Sequence, residues 1–363
     1  MRLGVQAALV DGQLLPGDVE LVDGVVARYG LASANGQGIA APGFVDLQVN
    51  GFGGVDFLEA DSEAYGRAGE ALLETGVTAY LPTLITTPEE ELLAALHAIP
   101  LQSDGPRILG VHLEGPFLAA SRLGTHPPAA RRDPDPELLQ RLLDAGPVRL
   151  MTLAPELPGS RKLIDLLHER GIVVSCGHTN ASAVVAHAAF DQGVRTVTHL
   201  FNAMRPFGHR DPGIAGAALA RDDVLVQIIL DRVHLADETA LVVWRAAAGR
   251  VALVTDAVAG AGMIDGSYSL GGFEVDVRDG VVSGPEGVLA GSALTMIEAV
   301  RNLHSLGVPL AEALAAASAV PARVLGLPTI GRIEAGSPAD IVVLDDNLEI
   351  ERVFVGGEAR VAA

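Results

Sequence analysis

The sequence predicts an α/β fold, a (β/α)8 TIM-like barrel with a small β-sandwich domain built from both termini. Eight short apolar segments rich in Val, Ile and Leu recur along the middle of the chain, and amphipathic helical patterns fill most gaps between them. The 363 residues provide the roughly 250 that such a barrel needs, with extra chain left over. The two ends carry a different, alternating pattern that is typical of half-buried strands.

The predicted barrel strands are the segments in which apolar residues run almost continuously. Alternation of such runs with helical patterns favours parallel βα units over a sandwich or a helix bundle. The segments cover residues 43–50, 77–83, 107–114, 148–155, 172–178, 194–200, 224–231 and 251–256.

Helical patterns between these strands carry recognisable start and stop signals. The segment 61–76 begins with an Asp-Ser pair and stops at Gly76, and the segment 180–193 also ends on glycine. Residues 88–99 place leucines on one face, and residues 236–250 lead into the eighth strand. These positions are those that the crossover helices of a barrel require.

The two ends of the chain do not fit a barrel. Residues 1–41 and 331–363 alternate apolar and polar residues around glycine turns, and we expect antiparallel strands that join into one small domain. The catalytic barrel domain is then residues 42–330. Within it, a hairpin-like insertion at 267–284 precedes two late helices, which lie at 293–307 and 309–326.

Composition excludes several classes of function. A formal net charge of −20 disfavours binding to nucleic acid and to anionic membranes. The single cysteine, Cys176, excludes an intramolecular disulfide and suits a reducing compartment. The N-terminal segment lacks the pattern of a signal peptide, and no apolar run approaches the roughly 18 residues of a membrane span. We therefore expect a soluble, cytoplasmic protein.

Polar side chains collect where the predicted strands end. In a parallel barrel, catalytic groups project from the C-terminal ends of the strands. Because side chains alternate along a strand, Asp46 shares a face with Gln48 and Asn50, and His112 shares one with Glu114. Such a polar face requires water or a metal ion inside the barrel. The residues at the strand ends are Gln48, Asn50, Glu114, His178, His199, Asp231 and Asp256.

Three of these residues have the chemistry of a metal site. Glu114, His178 and His199 lie on different strands that converge at one mouth, and together they offer one carboxylate oxygen and two imidazole nitrogens. That set suits Zn²⁺ with a coordination position left open for water. The alternative is that Glu114 pairs with an arginine or a protonated histidine, and that the two histidines are buried and hydrogen-bonded.

Asp256, in the segment LVTDA, is a further carboxylate at the same mouth. Beside an activated water it is suited to accept a proton and to return it to a leaving group. The alternative is a structural aspartate that caps the following segment.

Basic residues cluster in the loops after the sixth and seventh strands. In so acidic a chain, the clustering suggests an anionic ligand group, and a helix beginning at FNAM would add the backbone N–H groups of Asn202 and Ala203. The alternative is ordinary solvated loop charge. The cluster consists of Arg205, His209, Arg210, Arg232 and His234.

Eight motifs occur in a fixed order and identify a family: APGFVDLQVNG, HLEGPFL, GTHP, TLAPE, GHTNAS, THLFNAM, VTDA and GSALTMIEAVRNL. Between about residues 41 and 345 the chain resembles the N-acetylglucosamine-6-phosphate deacetylases of the amidohydrolase superfamily. HLEGPF, GHTNA and THLFNAM are the most specific of these motifs. The resemblance implies hydrolysis of N-acetyl-D-glucosamine 6-phosphate, a small phosphorylated amino sugar, to D-glucosamine 6-phosphate and acetate.

The resemblance also implies roles for individual residues. It implies that Glu114, His178 and His199 bind the catalytic metal. Asp256 is implied as general base and then acid, and His126 as a contact of the acetamido carbonyl. A homodimer is expected, in which His234 serves its own site or that of a neighbouring subunit. The implied phosphate-binding residues are Asn202, Ala203, Arg210 and His234.

One departure from the wider superfamily bears on the metal. Many members carry His-x-His on the first strand, where this chain has Gln48 and Asn50, and amides are poor ligands beside imidazoles. We therefore expect one tightly bound divalent ion and a lost or weak second position. Zn²⁺ is the expected ion, and Fe²⁺, Mn²⁺ or Co²⁺ would accept the same ligands.

Two other functions stay open from the sequence. One is a different metal-dependent amidohydrolase, a cyclic amidase or a deaminase, although the lysine that bridges two metals in cyclic amidases has no counterpart in TLAPE. The other is a catalytically silent barrel that only binds a sugar phosphate.

Overall fold

The computed structural model describes residues 1–33, 36–100 and 104–362. Residues 34, 35 and 363, which fall in the predicted terminal domain, and residues 101–103, which fall in the predicted barrel domain, lie outside the described residues.

The strands share one arrangement along the chain: five come before the barrel, eight form its wall and most others belong to small sheets around it. They are β1 (Ala7–Val10), β2 (Gln13–Pro16), β3 (Asp18–Val22), β4 (Val25–Leu31), β5 (Ile39–Pro42), β6 (Phe44–Val49), β7 (Gly51–Phe52), β8 (Val55–Asp56), β9 (Val77–Ile85), β10 (Arg107–Ile108), β11 (Val111–Glu114), β12 (Val148–Leu153), β13 (Val173–Cys176), β14 (Thr196–Val197), β15 (Leu225–Ile228), β16 (Val251–Leu253), β17 (Gly266–Leu270), β18 (Phe273–Arg278), β19 (Val281–Ser283), β20 (Ile341–Leu344), β21 (Ile350–Val355) and β22 (Glu358–Ala362).

The helices lie mainly between barrel strands. They are α1 (Ser62–Glu74), α2 (Glu89–Ala98), α3 (Pro136–Ala145), α4 (Ser160–Glu169), α5 (Ala183–Asp191), α6 (Gly213–Leu219), α7 (Asp237–Ala246), α8 (Met296–Ser305), α9 (Leu310–Ala316) and α10 (Ala319–Val324). Asp61 begins α1 as the sequence predicts, because its carboxylate accepts the N–H of Ala64 at 2.9 Å. Within the described ranges, no helix has the length and apolar character needed to cross a lipid bilayer.

Eight parallel strands of the described chain form the barrel, in the order β6, β9, β11, β12, β13, β14, β15 and β16. The sheet closes between β6 and the residues after β16. There Asp256 donates its N–H to Gln48 at 2.9 Å, and Asn50 donates its N–H to Ala257 at 2.7 Å. All eight predicted strand segments are confirmed, and so is the barrel.

The third predicted strand differs in one detail. It is interrupted between β10 and β11 at Gly110, which has a φ of +124°. A Cβ at Gly110 would lie 2.6 Å from Cβ of Arg149, so only glycine fits this close approach. The interruption shifts the register and lets β11 end on Glu114 at the barrel mouth.

Below the strand ends, the barrel interior is a buried hydrogen-bonded layer of hydroxyl groups and one imidazole. His112 Nε2 lies 2.7 Å from Thr152 Oγ1, and Thr152 Oγ1 lies 2.7 Å from Thr198 Oγ1. Ser175 joins the same hydroxyl of Thr198 at 2.5 Å. These contacts tie four neighbouring strands together one pleat below the mouth. His112 is therefore a core histidine whose ring nitrogens both have hydrogen-bond partners.

The chain ends form a six-stranded sheet in the order β2, β1, β5, β20, β21 and β22, and the hairpin of β3 and β4 packs on it around a shared apolar core. The expectation of purely antiparallel strands is wrong at one pair, because β1 runs parallel to β5. The chain between them, which includes β2 to β4, is long enough for the crossover that a parallel pair needs. The division into domains of residues 1–41 with 331–363 and of residues 42–330 stays a prediction.

The insertion is a three-stranded antiparallel sheet of β17, β18 and β19. Leu270 and neighbouring apolar side chains of this sheet pack against Ile85, at the end of β9, and Val258. The late helical pattern at 309–326 is divided into α9 and α10. Pro321 lies in the first turn of α10 and has no N–H to continue the preceding helix, which explains the break.

Candidate active site

A cleft of about 390 Å³ opens at the C-terminal ends of the barrel strands. Most of the sequence-predicted site residues line it together. These are Asn50, Glu114, His126, His178, His199, Asn202, Ala203, His234 and Asp256. Gln48 is fully buried beside Glu114, while Arg210 is exposed and lies outside the residues that line this cleft.

Glu114, His178 and His199 meet at the floor of the cleft, each about 95% buried or more. Glu114 Oε1 lies 2.9 Å from His199 Nε2 and 3.2 Å from His178 Nε2, and the two nitrogens are 3.1 Å apart. Such a compact triangle of one oxygen and two nitrogens is a donor set for a divalent cation. In the described part of the chain, the ion-pair partners of Glu114 are histidines, so an arginine is not its counterion.

The protonation pattern also fits a metal. His178 Nδ1 lies 2.9 Å from the carbonyl oxygen of Arg122, which can only accept, so Nδ1 carries a proton and Nε2 is the ring nitrogen directed at Glu114. Burial alone would raise the pKa of Glu114. Hydrogen bonds from His126, His178 and His199 outweigh it and hold that pKa well below its usual value. The residues therefore direct a carboxylate oxygen and two imidazole nitrogens at one point.

Two amides of the first barrel strand hold the two acids. Gln48 Nε2 donates to Glu114 Oε1 at 3.1 Å, and Asn50 Nδ2 donates to Asp256 Oδ1 at 2.7 Å. The remaining oxygens, Gln48 Oε1 and Asn50 Oδ1, are buried without a partner among the described residues. Because each amide directs its N–H to a carboxylate, the pair acts as donors and not as a second set of ligands. The arrangement indicates a single metal site.

Asp256 lines the same cleft and is 8% exposed. Burial, together with the negative charge of Glu114, raises its pKa to about 6. Among the described residues, its carboxylate accepts a hydrogen bond from Asn50 and none from an N–H of the following segment, which favours an acid–base role over a cap. A carboxyl group whose pKa is close to neutral exchanges protons readily with water and amines.

Left-handed backbone conformations concentrate at the strand ends. His178, His199 and Asp256 have φ of +46°, +28° and +52°. For residues other than glycine, such conformations cost of order 1–3 kcal/mol each and persist only where the surroundings fix them. They turn the last side chain of each strand into the mouth of the barrel.

The prediction that a helix begins at FNAM is wrong. Residues 199–203 form a turn, and the next helix is α6, which begins at Gly213. Phe201 and Ala203 have φ of +77° and +49°, which a right-handed helix cannot accommodate. Asn202 and Ala203 nevertheless line the cleft, because the turn itself carries them there.

His126 faces the metal ligands from the loop after β11. Its Nδ1 accepts the N–H of Thr86 at 3.3 Å, so the proton of the neutral ring lies on Nε2, which is 3.6 Å from Glu114 Oε2. Burial, with the nearby His178, lowers the pKa of His126 to about 4. His126 is therefore a neutral N–H donor directed into the site.

The predicted basic cluster separates in the structure. Arg205 pairs with Asp211 at 2.5 Å, and Arg232 bonds to Ser305 at 2.7 Å, so neither faces the cleft as a free cation. His234 does line the cleft, and its Nδ1 is held by Asp231 Oδ2 at 2.7 Å. Of the five basic residues, it is the one that the single chain brings to the site.

Three residues that support the site are absent from the sequence-based set. Thr86 orients His126, the carbonyl of Arg122 orients His178, and Glu156 accepts hydrogen bonds from the residues that follow His178. Thr86 and Arg122 act through backbone groups, which every residue type carries, so the sequence could not indicate them. Glu156 does have a signal, since it closes the motif TLAPE.

Asp46 lies below Gln48 and is fully buried. Its Oδ2 accepts the hydroxyl of Thr255 at 2.6 Å, and its Oδ1 accepts the N–H groups of Gln48 at 3.2 Å and Thr255 at 3.3 Å. Burial raises the pKa of Asp46 to about 7, although these hydrogen bonds oppose the increase.

Comparison with known proteins gives one consistent result. The amidohydrolase family model matches residues 39–360. The N-acetylglucosamine-6-phosphate deacetylase of Mus musculus is 41% identical over 340 residues, which cover 88% of this chain and 83% of the relative. The N-acetylgalactosamine-6-phosphate deacetylase of Escherichia coli O157:H7 is 33% identical over 96% of each chain.

A solved structure agrees with these relatives. The N-acetyl-D-glucosamine-6-phosphate deacetylase of Mycobacterium smegmatis, as a mutant in complex with N-acetyl-D-glucosamine-6-phosphate, is 36% identical to this chain. The two structures have a TM-score of 0.93 and cover 99% of this chain and 98% of the other.

The buried carboxyl of Asp46 predicts a pH dependence of stability. Its pKa of about 7 in the folded state lies above the roughly 3.9 of an unfolded aspartate, so folding favours the protonated form. The stabilisation is complete below about pH 4 and is lost as pH rises through about 7, by up to about 1.4 kcal/mol per pH unit. We expect Asp46→Asn to remove this component. The midpoint of thermal unfolding, measured for the metal-free wild type and Asp46→Asn between pH 5 and 8 at one scan rate, tests this expectation. Parallel pH profiles of the two proteins would contradict it.

Proposed function

This chain belongs to the amidohydrolase family, and on that premise we propose that it hydrolyses N-acetyl-D-glucosamine 6-phosphate to D-glucosamine 6-phosphate and acetate. One observation carries the proposal: Glu114, His178 and His199 converge within hydrogen-bond distance in a cleft that Asp256 also lines. The family's deacetylases, at up to 41% identity, supply the substrate class.

The metal is assigned to three ligands. Glu114, His178 and His199 would hold one divalent ion, with Zn²⁺ as the expected metal and Fe²⁺, Mn²⁺ or Co²⁺ as alternatives on the same donors. When bound, the ion supplies Lewis-acid polarisation of the amide carbonyl and acidifies a water molecule. The Gln48 and Asn50 amides support a single tight site, because both direct their N–H groups toward carboxylates.

Asp256 is the proposed general base and acid. Its carboxylate, held by Asn50, takes a proton from the water that attacks the acetamido carbonyl carbon. The proton then passes from Asp256 to the amide nitrogen as the C–N bond breaks. The products are a free amine and acetate, so one water is consumed and the aspartate returns to its starting state.

His126 is the proposed stabiliser of the oxyanion. Its Nε2–H faces the same point as the Glu114 carboxylate, and a neutral imidazole with a pKa of about 4 keeps its second nitrogen as an acceptor for Thr86. Donors of this kind contribute roughly 2.7–4 kcal/mol in acyl-transfer enzymes.

The phosphate end of the substrate is assigned to the wall formed by the loops after β14 and β15. Asn202, Ala203 and His234 line that wall, and Arg210 is proposed as an additional cation from its exposed loop. Phosphate contacts distant from the carbonyl would fix the sugar so that its acetamido group faces Asp256.

A second candidate substrate is the galactosamine epimer. The relative from Escherichia coli O157:H7 is named for N-acetylgalactosamine-6-phosphate, and it covers 96% of this chain. The epimers differ only in the configuration of one hydroxyl of the sugar, and they share the amide and the phosphate. Both therefore belong in the substrate comparison.

The remaining expectations are also proposals. A cyclic amidase or deaminase would need no phosphate site, and a silent binding barrel would need no acid–base residue beside its metal ligands. A homodimer and a cytoplasmic location stay predictions from the sequence, as does the absence of nucleic-acid and membrane partners.

The phosphate assignment predicts a selective loss of activity. His234→Ala and Arg210→Ala should lower kcat/KM for N-acetylglucosamine 6-phosphate by at least tenfold, while activity on unphosphorylated N-acetylglucosamine changes little. Arg245→Ala, an exposed arginine on α7, is the matched control. Acetate release from both N-acetyl sugar phosphates and the free sugar measures the effect. Equal losses on phosphorylated and free sugar would refute the phosphate site.

The acid–base assignment predicts a loss of turnover without loss of structure. Asp256→Asn keeps the size and the contact with Asn50 but cannot accept a proton, so kcat should fall by about 10² to 10⁴. Metal content and the thermal midpoint should stay near those of the wild type. Turnover within a few-fold of the wild type would remove Asp256 from the mechanism.

The ligand assignment predicts about one equivalent of divalent metal per chain after dialysis. His199→Ala should lose it, because two donors rarely hold a divalent ion tightly. Elemental analysis of both proteins gives the count. Two tightly held equivalents in the wild type would contradict the donor role assigned to Gln48 and Asn50.

A further inference from the structure

We propose that Glu156 is a positioning residue that fixes the metal ligand His178 and the phosphate-binding turn relative to each other. This inference rests on the proposed function, since it uses that assignment of metal and phosphate sites. Glu156 does not line the cleft, and it acts through the segment His178–Asn180.

Both carboxylate oxygens of Glu156 are directed at this segment. Oε2 accepts the hydroxyl of Thr179 at 2.5 Å, and Oε1 accepts the backbone N–H of Asn180 at 2.5 Å. The same Thr179 hydroxyl accepts the N–H of Ala181 at 3.0 Å. Short bonds to a charged acceptor are about twice as strong as neutral ones, and two of them fix both position and orientation.

The segment needs such a restraint because its first residue is strained. His178 has a φ of +46°, and Gly177 before it packs closely against Thr152 and Thr198. A histidine in the left-handed region relaxes toward a different side-chain direction unless its neighbours hold it. Glu156 holds the two residues that follow, so it blocks that relaxation at the point where Nε2 must face the metal.

The segment also contacts the turn assigned to phosphate. Thr179 donates its N–H to Ala203 at 3.2 Å, and Arg205 donates its N–H to Thr179 at 2.9 Å. Asn202, in the same turn, donates its backbone N–H to the carbonyl of His199 at 2.9 Å. The turn that carries Asn202 and Ala203 is thus bonded to His199 directly and to Thr179, the residue after His178. A movement of Thr179 would displace the metal ligand and the turn together.

Metal affinity is the decisive measurement. Purified protein is stripped with a chelator, and its affinity for Zn²⁺ is measured by competition with a chromophoric chelator. Glu156→Ala and Thr179→Val should bind Zn²⁺ about 10- to 100-fold more weakly, the usual effect of removing a residue that orients a ligand. Thr179→Ser, which keeps the hydroxyl, should restore affinity to within about threefold. KM for the phosphorylated sugar should rise in the two weakened variants even at saturating Zn²⁺.

A matched control separates positioning from general stability. Asp18, in the terminal sheet, accepts the N–H groups of Gly4 at 2.8 Å, Val5 at 3.1 Å and Val19 at 2.8 Å. Asp18→Asn should lower the thermal midpoint and leave the Zn²⁺ affinity unchanged. An equal loss of Zn²⁺ affinity in Asp18→Asn would overturn the inference.

The remaining outcomes are equally distinct. Unchanged Zn²⁺ affinity in Glu156→Ala and Thr179→Val, with native circular dichroism, would overturn the inference and leave the proposed function intact. If Glu156→Ala does not fold, the Thr179→Val and Thr179→Ser pair decides by the same criterion. A wild-type chain that binds no Zn²⁺ would instead overturn the metal site itself, and the inference with it.

Discussion

The carboxylate of Glu114 is almost completely removed from water, and a charge so placed must be compensated by its neighbours. Its two oxygens meet Gln48, His126, His178 and His199, which come from loops or strand ends spread around the barrel. The strands must therefore end at matching heights around the barrel. The interruption at Gly110 and the left-handed residues at the mouth follow from that requirement, because they bring these side chains to one point.

Hydrogen-bonded residues surround the Glu114 carboxylate from below and from the side. Beneath it lies the hydroxyl layer of Thr152, Ser175 and Thr198 around His112, which joins four strands by short hydrogen bonds. Beside it, the first strand contributes amides where many superfamily members have imidazoles. Gln48 and Asn50 donate hydrogen bonds to Glu114 and Asp256, so they are poor ligands for a second metal. The two amides of this strand thus support the proposal of a single bound ion.

The loops around the mouth form one connected structure. The segment after β13 touches Arg122, Glu156 and the turn at 199–203, so it links the loops after four consecutive strands. The residues proposed to hold the metal and the turn proposed to bind phosphate are therefore joined by hydrogen bonds through this one segment. Under the proposed function, this connection would hold the phosphate contacts and the acetamido group of the substrate in a fixed relation.

The sequence by itself determined the barrel, its eight strands, and the residues that gather at the mouth, because strand periodicity and the common end of parallel strands are local rules that fix where side chains point. It did not determine the parallel pairing of β1 with β5, the turn at FNAM or the separation of Arg205 and Arg232 from the cleft. Those features depend on partners distant in the chain, such as Asp211 and Ser305, and on backbone conformations that residue type does not specify. The role inferred for Glu156 is of the same kind: its motif is visible in the sequence, but only folding brings its carboxylate to Thr179 and Asn180.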